Sequence, residues 1–190
     1  WLVWAQAVTA GNGTDVDGDG KADVVWRNTS TGDVAIWLMN GEQIASSAFP
    51  ARVPLEWEIA GISDVTGDDR ADVIWRHNSS GEVEVWEMNG LTINSVRFPG
   101  SLSINWAIQG IGDVNGDGYA DLVWRSSSGV VVVWMTNGAT IRLGGVPLDW
   151  KIAGIGDVTG DGTAAIIWRN SSSGVVAVWL MSGSKIISVG

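Results

Sequence analysis

The segment Asp15-Val-Asp-Gly-Asp-Gly-Lys-Ala-Asp23 sets carboxylates at alternate positions of a glycine-containing turn, and most of its oxygen-bearing positions recur from Asp64, Asp113 and Asp157. Alternate acidic side chains on a tight turn can aim several oxygens at one point, with glycine letting the backbone bend between them. That donor set suits a hard divalent cation such as calcium. An EF-hand also begins this way, but it needs a glutamate at the twelfth loop position and flanking helices. Here the twelfth position is Trp26, Trp75, Trp124 or Trp168 within an apolar run, which excludes an EF-hand.

The loop starts are separated by 49, 49 and 44 residues, and tryptophans travel with them. Trp57, Trp106 and Trp150 precede their loops by seven residues; Trp37, Trp86, Trp134 and Trp179 follow a later turn. Trp4 opens the first copy, which carries an insertion at Ala10–Thr14. Such a period marks an internal repeat, and the copies read as 1–56, 57–105, 106–149 and 150–190 of a single array.

The elements that must position these loops are short. Each copy reads as β-rich segments broken by Gly, Asn, Ser and Asp, with no amphipathic stretch of helical period. In the third copy the runs are Trp106 to Ile111, Ala120 to Arg125, Val130 to Met135 and Ala139 to Leu143, giving four strands in each copy. Ser126–Gly129 and Asn170–Gly174 supply hairpin residues, so an antiparallel meander is expected. Val24-Val25, Val73-Ile74, Leu122-Val123 and Ile166-Ile167 put aliphatic groups on both faces of the second strand, because neighbours in a strand point to opposite sides. Small meanders covered on both faces and repeated at this period predict an all-β fold, a β-propeller of four-stranded antiparallel blades with four repeats in the chain. A linear β-solenoid would want shorter repeats.

Composition agrees. At 190 residues and 45% hydrophobic the chain can bury a substantial core. The net charge of -10 and the absence of a basic cluster argue against a nucleic-acid partner. Much of the negative charge sits in the loops, where cations would cancel it, so the metal-free protein should be looser. There is no cysteine, so no disulfide framework holds the chain. No apolar run is long enough to span a membrane, and membrane insertion is not expected. Low-charge calcium loops bind in the millimolar range of extracellular fluid, which predicts a secreted or cell-surface location.

The pattern WxIxGIxDVxGDGxADxxWR followed by SSGxVxVWxMNG resembles the FG-GAP or VCBS repeats of integrin α-subunit propellers, fungal propeller lectins and many secreted bacterial proteins. The resemblance covers essentially the whole chain. It implies four-stranded blades with Ca2+ held in the loop joining the first two strands. Carried onto these residues, it implies Asp15, Asp17, Asp19 and Asp23 as ligands in the first loop, with the carbonyl of Lys21. The second loop would offer Asp64, Thr66, Asp68 and Asp72, strained by Asp69 where glycine is expected. The third would offer Asp113, Asn115, Asp117 and Asp121. The fourth would offer Asp157, Thr159 and Asp161; Ala165 replaces its closing aspartate, so its affinity should be lowest. Relatives commonly close with seven blades, which four copies do not reach. Two chains could pair as a homodimer closing an eight-bladed ring, a four-bladed ring is also geometrically permitted, and the sequence could be a piece of a longer protein.

The indoles admit two uses. Repeated tryptophans pack blades together, yet an indole face also stacks on the apolar face of a sugar ring. Trp26-Arg27, Trp75-Arg76, Trp124-Arg125 and Trp168-Arg169, each followed by Asn, His-Asn or Ser, offer one such pairing per copy for carbohydrate or glycoprotein. His77 is the sole histidine and has no counterpart in the other copies. Catalysis gathers unlike groups once, whereas the distinctive groups here repeat, so a noncatalytic module is expected. Repetition favours multivalent, lectin-like carbohydrate binding. The alternative is a protein-binding or structural propeller of a larger secreted adhesin or enzyme; a polysaccharide-cleaving enzyme on the same scaffold is the third reading.

Overall fold

The computed structural model describes residues 12–136, 138–183 and 185–189. Among the described residues, one turn of 3-10 helix at Asn12–Thr14 is followed only by strands. The first sheet holds β1 (Val24–Arg27), β2 (Asp33–Asn40) and β3 (Gln43–Arg52). The second holds β4 (Trp57–Ser63), β5 (Asp72–His77), β6 (Glu82–Asn89) and β7 (Thr92–Ser101). The third holds β8 (Trp106–Gly112), β9 (Asp121–Ser126), β10 (Val130–Trp134) and β11 (Thr140–Gly145). The fourth holds β12 (Trp150–Gly156), β13 (Ala165–Asn170), β14 (Val176–Ser182) and β15 (Lys185–Val189). Each is an antiparallel meander in chain order, so the all-β expectation and the four strands per full copy are met, with bounds that differ by one or two residues. Four successive meanders of this kind form a propeller-like repeat architecture. The opening strand expected around Trp4, and most of the Ala10–Thr14 insertion, lie outside the described residues.

The chain divides into two compact units, residues 1–104 and 105–190, with two sheets in each. In the first, Val16, Val25, Val34 and Ile36 pack against Ile59, Val73, Trp75 and Trp86. In the second, Val114, Val123, Val131 and Val133 pack against Ile166, Trp168 and Met181. Burying a valine or isoleucine of this kind stabilises by about 1.5–3 kcal/mol, and the alternation of strand side chains decides which residues contribute. Val25 pairs with Ile36 and Arg27 with Val34, so these four share one face of the first sheet, while Val24 and Trp26 share the other. The expectation that the second strand is covered on both faces holds fully for β9, where every residue is buried. It fails for β1, where only Val25 and Arg27 are.

Two glycine devices join neighbouring sheets. Gly32 has φ 80° and a side chain there would meet the carbonyl oxygen of Val53 at 2.0 Å. That closeness lets Val53 N–H donate to Gly32 O (2.9 Å), fastening the segment that leads into the next sheet. Within β8, the register shifts between Ile108 and Gly110, and a Cβ on Gly110 would stand 2.5 Å from Ile155 Cδ1. The bare backbone is where the side chain of Ile155 enters.

Candidate metal-binding loops

In every copy the leading aspartate organises its own loop by accepting hydrogen bonds from the backbone that wraps around it. Asp15 Oδ1 accepts from Gly18 N (2.7 Å) and Asp19 N (3.2 Å), and Oδ2 from Gly20 N (2.7 Å). Asp113 repeats the pattern with Gly116 N, Asp117 N and Gly118 N at 2.6, 3.2 and 2.7 Å. Asp64 accepts from Gly67 N (2.6 Å) and Asp69 N (2.9 Å), and Asp157 from Gly160 N (2.7 Å) and Gly162 N (2.8 Å). Bonds from Gly162, Thr159 and Gly160 hold the Asp157 carboxyl down to about 2, because backbone donors favour the charged form.

The first loop goes furthest toward a coordination sphere. One oxygen from each of Asp15, Asp17 and Asp19 lies within 4.8 Å of the others. Oxygens 2.3–2.6 Å from a common calcium ion would be separated by about 5 Å at most, so the spacing fits. Burial, followed by the neighbouring Asp19 and Asp15 charges, pushes the Asp17 carboxyl up; a divalent cation would relieve that repulsion. Asp19 Oδ1 accepts from Lys21 N (2.9 Å), while its other oxygen pairs with the Lys21 ammonium at the rim. That ammonium hydrogen bond holds the Asp19 carboxyl below its ordinary value.

The other loops bring their side chains together with fewer charges. Thr66 Oγ1 bridges Asp64 Oδ1 and Asp68 Oδ1, each at 3.3 Å, and Asp69 takes φ 62° where the other loops have glycine. Asn115 Nδ2 donates to Asp117 Oδ2 (2.9 Å), and Asn115 Oδ1 accepts from Asp117 N (2.8 Å). In the fourth loop Thr159 Oγ1 donates to Asp157 Oδ1 (3.2 Å), while Asp161 Oδ1 accepts from Thr163 N (2.9 Å).

The closing aspartates behave differently from the ligand set that the sequence pattern implied. Asp23, Asp72 and Asp121 are buried, and each uses both oxygens on main-chain donors. Asp23 accepts from Val16 N (3.0 Å) and Met39 N (2.9 Å), Asp72 from Val65 N and Met88 N (both 3.1 Å), and Asp121 from Val114 N and Thr136 N (both 3.2 Å). They strap the loop to the far end of the third strand of the sheet. Asp23 does not join the three-carboxylate cluster. Burial pushes Asp72 up to about 6 and Asp121 up to about 7, more than their hydrogen bonds pull them down. Nothing in the spacing of the sequence announced this role; burial of the closing position was the missing signal.

Main-chain hydrogen bonds also carry the first and third loops onto a neighbour. Asp15 O accepts from Ala71 N (2.6 Å) and Val16 O from Gly90 N (2.8 Å), both in the second copy. Asp113 O likewise accepts from Ala164 N (2.6 Å) in the fourth copy.

The paired tryptophans and arginines are placed otherwise than a sugar platform requires. Trp75, Trp124 and Trp168 are fully buried, and Arg27 and Arg125 are buried as well; Trp26 and Arg76 are half-buried, and only Arg169 is exposed. The physical reason is strand alternation: adjacent residues point to opposite faces, so a Trp and the Arg after it cannot share one site. The first three arginines instead reach the segment that follows their own sheet. Arg27 lies over the Trp75 ring at 5.9 Å and donates to Pro54 O (2.9 Å). Arg125 lies over Trp168 at 5.3 Å and donates to Val146 O (3.1 Å), Pro147 O (2.8 Å) and Trp150 O. Arg76 donates to Leu102 O (3.3 Å) and Ser103 O (3.2 Å). The indoles tilt against the third-strand set, as Trp168 does on Trp179 at 5.0 Å.

His77 is held in its own turn. Its Nδ1 accepts from Ser79 N (3.3 Å) and Ser80 N (3.2 Å), and its ring stands edge-on to Trp57 at 5.0 Å.

Residues 113–168 match the model of the FG-GAP-like repeat, and residues 7–39 match that of the FG-GAP repeat. No curated protein matches the chain.

Proposed function

From the premise that this is an FG-GAP repeat protein, we propose that it is a calcium-stabilised, noncatalytic propeller module that serves as a binding or structural part of a secreted or cell-surface protein. FG-GAP repeats are typically binding or structural modules and commonly occur in extracellular or cell-surface proteins. The observation that carries the calcium reading is the first loop. Its three carboxylate oxygens converge within 4.8 Å, and its backbone is bonded to the next copy through Asp15 O and Val16 O. A cation bound there would neutralise clustered charge and stiffen the joint between two sheets, which is a structural use of a metal. Asp15, Asp17 and Asp19 would hold it, with the Lys21 carbonyl completing the set; Asp113, Asn115 and Asp117 form the nearest counterpart.

The noncatalytic reading rests on the engagement of the groups that could act as acid or base. The leading aspartates and the closing Asp23, Asp72 and Asp121 are engaged by backbone donors, and His77 is bonded within its turn and packed on Trp57.

Between partners, the geometry favours protein over glycan. Of the indoles proposed to stack on a sugar face, Trp75 and Trp168 lie in the packing between sheets, and Trp124 is shielded from solvent as well. Calorimetric titration of chelator-treated protein with Ca2+, alongside melting in calcium and in EDTA, tests the metal. Heat of binding and a rise in Tm lost in Asp17→Asn are expected; identical melting in both buffers would overturn the proposal. A glycan array at saturating calcium tests the partner class. No binding is expected, and strong retention of any glycan would restore the lectin reading.

A further inference from the structure

We propose that the loops hold their cations in two coupled pairs, the first with the second and the third with the fourth, so that filling one loop raises the affinity of its partner. The coupling rests on the calcium reading given above, and one peptide unit carries it in each pair.

Asp15 O in the first loop accepts from Ala71 N at 2.6 Å, and Asp113 O in the third accepts from Ala164 N at 2.6 Å. Ala71 and Ala164 hold the eighth position of the second and fourth loops, counted from Asp64 and Asp157. Their N–H groups therefore share peptide planes with the carbonyls of Arg70 and Thr163, at the seventh position. That is where Lys21 would offer its carbonyl in the first loop, and where acidic calcium loops place their main-chain ligand. A peptide is planar and trans, so its N–H and C=O point in opposite directions and cannot turn independently. With the N–H fixed on one loop, the carbonyl points away from it and is left to serve the other.

Side chains repeat the contact. Arg70 Nε donates to Asp17 O (3.4 Å), and a Cβ on Gly18 would stand 3.5 Å from Arg70 Cγ. In the other pair a Cβ on Gly116, which occupies the same fourth position as Gly18, would stand 2.9 Å from Thr163 Oγ1. The seventh residue of one loop is thus laid against the bare fourth residue of its partner, although one is arginine and the other threonine. Each pair lies within a single compact unit, residues 1–104 or 105–190. Once a cation holds the Arg70 carbonyl, the peptide that bonds Asp15 is fixed, and the first loop no longer bears that ordering cost. The reverse follows when Asp15, Asp17 and Asp19 are filled first. Polarising the carbonyl also strengthens the N–H donor at the other end of the same peptide.

Titration of the whole, chelator-treated chain with Ca2+ by amide NMR reads the loops separately, through Gly20, Gly67, Gly118 and Gly160, whose N–H groups bond the leading aspartates. Asp68→Asn removes a second-loop ligand and none from the first, and should raise the calcium midpoint at Gly20 by about fivefold or more. Asp17→Asn should raise the midpoint at Gly67 by a matching factor, because coupling is reciprocal. Asp69→Asn takes one charge from the second loop but no ligand, and should leave the Gly20 midpoint where it is. Gly118 should respond to Asp161→Asn and ignore Asp68→Asn. A Gly20 midpoint that Asp68→Asn does not move, or that Asp69→Asn moves as far, overturns the coupling while leaving calcium binding intact. Amides that ignore calcium in every loop overturn the metal reading itself, and the coupling with it.

Discussion

The guanidinium of Arg125 lies 5.3 Å from the centre of the Trp168 ring on the following sheet, where it also donates to the carbonyls of Val146, Pro147 and Trp150. One side chain thereby caps an indole and satisfies three main-chain acceptors of the segment that enters that sheet. Arg125→Ala should cost about 2–4 kcal/mol, the sum of a desolvated cation–π contact and charged hydrogen bonds left unmade. Arg169→Ala should stay within about 0.5 kcal/mol, since that residue is exposed. Denaturant unfolding of both variants checks the contrast; equal costs would show that Arg125 is no latch.

A second test separates loop ligands from loop straps. Asp121→Ala leaves the N–H groups of Val114 and Thr136 without their acceptor, at about 1–3 kcal/mol for each donor that water cannot reach. The loss should be the same in calcium and in EDTA. Asp17→Asn should instead lower Tm in calcium and leave it level or raised in EDTA, because it removes repulsion within the cluster. Melting of the two variants in both buffers reads this directly; a calcium-dependent loss in Asp121→Ala would make the closing aspartate a ligand after all.

Stability without metal should depend on pH in a defined window. Asp72 and Asp121 titrate at about 6 and about 7 in the folded protein, and near 3.9 when unfolded. A raised carboxyl means that the folded state binds more protons between those values. Its contribution is fully present below about pH 3.9 and is lost as pH rises through 6 to 7. Each pH unit separating the folded from the unfolded value is worth about 1.4 kcal/mol as an upper limit. In EDTA, Tm should therefore rise from pH 8 to pH 5. Asp72→Asn with Asp121→Asn should flatten that rise. Asp157, held down to about 2, acts in the opposite sense, its share being lost only as pH falls below about 3.9. A flat wild-type profile between pH 5 and 8 would contradict the burial of the two straps.

The second loop carries its own strain. Asp69 adopts φ 62°, whereas Gly20, Gly118 and Gly162 hold the equivalent place in the other loops. Asp69→Gly should stabilise the protein by about 0.5–1 kcal/mol and tighten calcium at that loop, since the left-handed region is costly for a residue with a Cβ. Urea titration with and without calcium measures both effects; a loss of stability would show that the Asp69 side chain contributes something the loop needs.

Much of the architecture was legible in the chain because period and alternation are local signals. The spacing of Asp15, Asp64, Asp113 and Asp157 marked the repeat, and the paired aliphatics such as Leu122-Val123 marked strands buried on two sides. The convergence of Asp15, Asp17 and Asp19 followed from their alternate spacing on a glycine turn. The strapping by Asp23, Asp72 and Asp121 was not legible, because a carboxylate reads the same whether it faces an ion or a buried N–H. The Trp-Arg dipeptides misled for a different reason. Adjacency in sequence suggested one shared site, while the pleat sends Trp124 and Arg125 to opposite faces, and only the neighbouring sheet reveals what Arg125 meets.

The main-chain hydrogen bonds that tie Asp15 to Ala71 and Asp113 to Ala164 give the acidic turns a mechanical meaning. Tension that peels one sheet from the next must first tear a turn that an ion would rigidify. Ambient calcium would then set how much force the joint withstands, much as a mortar sets the strength of a wall.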